Sequence, residues 1–240
     1  MTEAEWLAAT DPRTLIDWLF FDARVTDRKL RLFSVAGCEP LRRLVGDPRL
    51  LAALDSAEAF ADGHIDAATL RAVHDAAWEN LRARHERVYG KLSDEIRGAE
   101  IVCLYPTAQD PHRNRDRYRA DDDAPYALLV AMFIDHPRTS AHFPRLACLL
   151  HDIFGNPFHP PPPLPPLVLA WNDGTVRRLA EAVYEERQLP AGTLDTGRLA
   201  ILADALLDAG CEDEDLIQHC RSERPHVRGC WAVDAILGKS

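Results

Sequence analysis

The stretch DRKLRLFSVAGCEPLRRLV, residues 27–45, decides how the chain is read. Leu30, Phe33, Gly37, Leu41 and Leu44 recur at three- and four-residue steps, which places them on one face of an α-helix. Asp27 stands where an N-cap belongs, and Pro40 lacks the backbone donor a continuing helix needs, so a kink or split is expected there. The same rhythm runs outward. DPRLLAALDSAEAFADG (47–63) puts Leu50, Leu51, Leu54, Ala57 and Phe60 on one face, with Pro48 in the first turn and Gly63 as stop. In residues 66–90, Leu70, Val73, Ala77, Leu81 and Val88 form the next stripe.

Strand-like alternation is almost absent. EIVCLYP (100–106) is the one passable strand, and it has no obvious partner. Residues 104–124 read as a polar, aspartate-rich loop. PYALLVAMFI (125–134) and FPRLACLLHDIF (143–154) read as the innermost helices. The expected class is all-α.

HPPPPLPPL follows, with six prolines among residues 160–166. Such a run favours extended polyproline geometry, either as a stiff connector or as a ligand for a proline-reading domain. As a connector it spans 159–168 and divides an N-terminal helical part, 1–158, from a C-terminal one, 169–240. A part of that size is thin for a core of its own, so the two are expected to pack as one unit. Four helices are expected in it. One begins near Asn172 or Asp173, with Val176, Leu179 and Val183 inward, and one covers 196–210 with Leu199, Leu202, Ala203 and Leu206 inward. A third has an acidic start at 212–220, and a fourth opens at Pro225 and stops at Gly238.

A chain of 240 residues suits one large domain or two small ones. It is 47% hydrophobic and 28% charged, an ordinary globular balance. A formal charge of −10 opposes binding of nucleic acid by bulk electrostatics. The basic runs 82–91 and 112–119 are interrupted or followed by acids and read as solvated faces or loops. The acidic start lacks a secretory pattern, and no stretch approaches the roughly 20 apolar residues of a membrane span. The expected location is cytoplasmic, with the six cysteines reduced and no membrane partner.

Three constellations bear on chemistry. His151-Asp152 behind an apolar helix resembles the central pair of HD-type metal phosphohydrolases. That chemistry needs an upstream histidine (His112, His136 or His142) and a downstream aspartate (Asp204 or Asp208), none of which sits in a supporting motif. Cys211, Cys220, His226 and Cys230 follow the spacing C-x8-C-x5-H-x3-C, and thiolate with imidazole is what zinc prefers. His226 and Cys230, four apart, can point the same way from one helix. The competing reading packs the cysteines as small hydrophobes, Cys220 beside Leu216 and Ile217, and Cys230 in a stripe with Val233 and Leu237. Arg221, Arg224, Arg228 and His226 can hold an anion, or pair with the acids 212–215. No Gly-rich phosphate loop, Gly-x-Ser-x-Gly elbow or His-Glu-x-x-His pattern is present.

Taken together, WLAATDPRTLIDWL, DRKLRLFSVAGC, DIFGNPFHP, RLAILADALLDAGC and HCRSERPHVRGCWAVDAILGK resemble a family abundant in planctomycete bacteria. The most specific motifs are DIFGNPF and PHVRGCW. The resemblance supplies no activity; the multi-copy sets in which its members occur imply interaction or regulation. The chain departs from the family at Gly37, Cys38 and Glu39, where relatives have Cys-Cys-Arg, and at His151 and His159, where they have arginine. Arginine at the first of these histidines speaks against a metal-ligand role for His151.

The expected function is therefore a non-catalytic interaction or regulatory protein with a protein partner and no cofactor. Asp152, Phe154, Gly155, Asn156 and Phe158 of one motif, with Arg228 and Trp231 of the other, form its interaction or anchoring surface. The alternatives are a structural zinc protein using Cys211, Cys220, His226 and Cys230, and the HD-type hydrolase.

Overall fold

A computed structural model describes residues 1–20, 25–87, 143–189 and 191–239. Among them are ten α-helices, one 3-10 turn and no strand, so the all-α class holds. The candidate strand 100–106, the loop 104–124 and the apolar segment 125–134 lie outside the described residues. Among the described residues no helix is long and apolar enough to cross a membrane.

The chain divides into two compact units, one of residues 16–143 and the other of 1–15 with 144–240. This division differs from the boundary expected at 159–168. The proline connector lies inside the second unit, and 144–158 pack with the C-terminal part because their apolar helix face is needed there.

In the first unit, α3 (Asp27–Cys38) is capped by Thr26, whose hydroxyl accepts from the Lys29 amide at 3.4 Å, so Asp27 is the first helical residue rather than the cap. Pro40 splits the segment as expected: α3 ends at Cys38 and a 3-10 turn covers Glu39–Leu41. α4 (Pro48–Ala61) buries Leu50, Ala53, Leu54 and Ala57, with Asp47 capping. α5 (Ala67–Arg87) buries Leu70, Ala77 and Leu81, each on the expected stripe.

The second unit begins with α1 (Glu3–Ala8), closed by a Thr2/Glu5 capping box, and takes in the start of α2 (Pro12–Phe20). α6 (Phe143–Phe154) lies over the range expected for it. Next, α7 (Pro166–Glu185) is interrupted by non-helical backbone at Trp171, Asn172, Asp173 and Gly174, the last three at positive φ. Asn and Asp tolerate that geometry better than other side chains. α8 (Thr196–Asp208) is capped by Asp195, and α9 (Glu214–Cys220) by Asp213. α10 covers Trp231–Leu237. The helix expected from Pro225 is corrected: residues 225–230 form a turn, tied down by a bridge between Thr193 and Val227 and by the Leu194 amide donating to the His226 carbonyl at 2.8 Å. The core joins Val176, Ala180 and Val183 of α7, Leu199, Leu202 and Leu206 of α8, Leu216 of α9 and Val233 of α10.

Candidate metal centre

Inside the second unit, segments remote in sequence bring four chemically distinct side chains together. Leu149, Leu150 and Ile153 of α6 are fully buried, and Asp152 lies three residues beyond Leu149 on the same inward face. The apolar stripe thus carries a carboxylate into the interior. α9 buries Leu216, Ile217 and Cys220, which leaves His219 at the edge of the core with 18% of its side chain exposed. The 225–230 turn presents His226 and Cys230, both at 0% exposure. One ligand atom from each of Asp152, His219, His226 and Cys230 lies within 4.8 Å of the others.

Asp152 is saturated. Its Oδ1 accepts from His226 Nδ1 at 2.7 Å and from His219 Nε2 at 3.1 Å, and its Oδ2 accepts from the Val227 amide at 2.8 Å. Burial pushes this carboxyl's pKa up, but the bonds from His219 and His226, with the charge of His226, outweigh it, and the net pKa falls below the usual range. Burial likewise works against charge on His226. The bond and charge of Asp152, helped by the Ser222 carbonyl, win there and raise its pKa.

His219 has a defined tautomer. The Trp231 indole N–H donates to its Nδ1 at 3.1 Å, so the neutral ring carries its hydrogen on Nε2. That hydrogen points at Asp152 Oδ1 and at Cys230 Sγ, 3.2 Å away. Burial, with the nearby negative charge of Asp152, drives the Cys230 thiol well above its ordinary pKa.

Of the residues expected as a zinc set, the cluster contains two. His226 and Cys230 converge, although from a turn rather than from one helix. Cys211 and Cys220 are buried but not members of the cluster. Cys220 neighbours His219 in sequence and turns with Leu216 into the helical core. Burial and then the Asp152 charge push its thiol up to about 12, as befits a small hydrophobe. Asp152 and His219 complete the cluster. His219 went unassigned in the sequence because the helical pattern of α9 draws attention to Cys220.

The HD pair comes apart. Successive helical residues differ by about 100°, and His151 points to the Trp6 carbonyl at 3.0 Å while Asp152 points inward. Burial lowers the pKa of His151. His112, His136 and His142 lie outside the described residues, and Asp204 is engaged at the surface by Arg221 at 2.6 Å. The arginines do not gather on an anion either: Arg228 pairs with Glu185 at 2.5 Å and lies over the Tyr184 ring.

The DIFGNPF turn anchors α1. Trp6 Nε1 donates to the Gly155 carbonyl at 3.0 Å, and Asn156 Nδ2 donates to Glu3 Oε1 at 2.7 Å. Asn156 Oδ1 also accepts from the Phe158 amide at 3.1 Å, and Phe154 is half-buried. Gly155 has φ +65°, and a Cβ there would lie 2.9 Å from Trp231 Cγ. Only glycine fits both constraints.

No family model, curated protein or solved structure matches the chain. The chemistry is therefore read from the residues alone. A tetrahedral zinc site with nitrogen, oxygen and sulfur ligands has ligand–ligand separations of about 3.3–3.6 Å. The four separations given by hydrogen-bond geometry are 2.7, 3.1, 3.2 and 3.8 Å. The donor set suits such an ion, and these four separations bracket the tetrahedral range. His226 fits once the hydrogen that its Nδ1 gives to Asp152 is released, since its Nε2 faces the Ser222 carbonyl at 3.3 Å and can donate there while Nδ1 binds metal. His219 fits once its hydrogen moves from Nε2 to Nδ1, which takes the acceptor away from Trp231.

Proposed function

We propose that the unit of residues 1–15 and 144–240 is a non-catalytic interaction module held together by one structural zinc ion. Asp152, His219, His226 and Cys230 would be the ligands. The observation that supports this is the convergence of a carboxylate, two imidazoles and a thiol from α6, α9 and the 225–230 turn at one buried point. Four protein ligands fill a tetrahedron and leave no position for substrate, which is the mark of structural rather than catalytic zinc. Bound there, the ion would supply positive charge that favours the thiolate of Cys230 and would tie three segments together.

Nucleophilic catalysis is poorly served by the same residues. Cys230 is fully buried with a raised pKa. Asp152 and Cys230 also face the same nitrogen of His219, whereas an activating triad needs the orienting carboxylate on the opposite ring nitrogen. The acidic charge favours a protein partner over a polyanion. The resemblance to the multi-copy planctomycete family points the same way.

The test is metal content after dialysis, joined to tryptophan emission. One equivalent of zinc is expected. It should be lost in His226→Ala and Cys230→Ser but kept in Cys211→Ser and Cys220→Ser. Adding zinc to chelator-treated protein should change the emission, and the Trp231→Phe variant should lose that change. A protein that retains no zinc, and whose melting temperature zinc does not raise, would end this reading.

A further inference from the structure

A groove of about 1100 Å³ runs across the second unit, larger than the roughly 300–1000 Å³ of most small-molecule sites. One wall is the proline arm, Pro160–Pro163, whose residues are exposed. Proline has no N–H, and polyproline geometry uses no internal hydrogen bonds, so this wall offers carbonyl acceptors and no donors. Four carboxylates also line the groove. Glu3 is engaged by Asn156 and His159, and Asp213 caps α9. Glu212 and Asp215 are exposed and make no hydrogen bond or ion pair among the described residues. Against these acceptors the lining sets a single guanidinium, that of Arg224, the neutral donors of Gln218 and Ser222, and apolar surface from Leu7, 60% exposed, and from the half-buried Trp231.

Acceptor-rich walls with excess negative charge and an apolar floor match a donor-rich, cationic guest. Arginine meets that description best, with five donors, no acceptor and a planar face that packs on apolar rings. We infer that the groove binds an extended arginine-rich segment of a partner protein, its guanidinium groups set between the proline carbonyls and the carboxylates of Glu212 and Asp215. The inference names the partner of the interaction-module reading and rests on it.

The test uses the full-length chain with its zinc content measured on the same sample, so that the groove and the zinc site can fail separately. The probe is a fluorescein-labelled eight-residue peptide alternating arginine with proline or leucine, followed by anisotropy. The double variant Glu212→Gln/Asp215→Asn should weaken binding about tenfold, the scale of two exposed charge pairs. Leu7→Ala should weaken it about threefold. Asp208→Asn/Glu223→Gln removes the same charge outside the lining and should leave affinity within twofold. The proposal is overturned if the two double variants behave alike, or if a peptide with glutamate in place of arginine binds equally well. It is also overturned if the Glu212/Asp215 variant instead abolishes self-association of the chain, which would put a second copy in the groove.

Discussion

Replacing Asp152 by alanine tests the energetic account of the centre most directly. The carboxylate receives bonds from His226 Nδ1, His219 Nε2 and the Val227 amide, and all three meet it in the interior. Alanine leaves the Val227 N–H and the His226 ring without an acceptor. Each stranded buried donor costs about 1–3 kcal/mol. The loss is limited because His226, no longer beside an anion, can shed its charge, and because the desolvation of a carboxylate disappears with it. A net loss of about 4 kcal/mol follows, a large share of the ~5–15 kcal/mol typical of a folded domain. With a urea slope of about 2 kcal/mol per molar, the midpoint should fall by about 2 M. Asp152→Asn keeps one oxygen but turns an NH2 toward a donor, and should fall between. The measurement needs a probe confined to this unit, since two units need not unfold together. Trp6, Trp171 and Trp231 lie in it, so Trp18→Phe/Trp78→Phe protein in chelator isolates its emission. A midpoint shift under 0.5 M for the alanine variant (about 1 kcal/mol at that slope) would refute the reasoning.

Gly155→Ala combines a left-handed backbone with a Cβ 2.9 Å from Trp231 and should cost about 2–4 kcal/mol. Gly210→Ala has φ +78° and open space, so thermal melts should show only about 1–2 kcal/mol for it. In metal-free protein, imidazole resonances should show His226 titrating above 6.5 and His151 below it. The raised His226 value adds stability that is fully present below pH 6.5 and lost as pH rises through the folded pKa. The lowered Asp152 value adds stability present above about pH 3.8 and lost as pH falls through its own folded pKa. The lowered His151 value removes stability as pH falls below 6.5. The histidine slopes oppose each other, and residue-specific titration separates them.

The helices were legible because burial imposes periodicity: Leu50, Leu54 and Ala57 of α4, Leu70, Ala77 and Leu81 of α5 and all four stripe residues of α8 are buried. Leu51, Phe60 and Val73 are only partly so, and Val88 lies outside the described residues. The 225–230 turn was not legible. Pro225 at a first-turn position imitates a helix start, and the tertiary ties through Thr193, Leu194 and Asp152 that hold the turn leave no local mark. The Asp152, His219, His226 and Cys230 cluster was half legible for the same reason. His226 and Cys230 are close in sequence, while Asp152 reaches them from 74 residues away. Only packing could decide between the adjacent pairs His151/Asp152 and His219/Cys220.

The hydrogen bond from Trp6 to Gly155 spans 149 positions, and that separation has a bearing on synthesis. The unit that holds α1 is interrupted by the whole of 16–143, so the first helix leaves the ribosome long before its docking turn exists. Closing a loop of that length costs about 2 kcal/mol more entropy than closing one a tenth as long. The inserted unit can fold as soon as it emerges. The N-terminal helix must wait, its Trp6 face uncovered, until the last hundred residues arrive. Chaperone demand should therefore concentrate on nascent chains that have passed residue 143 but not yet delivered the final helices.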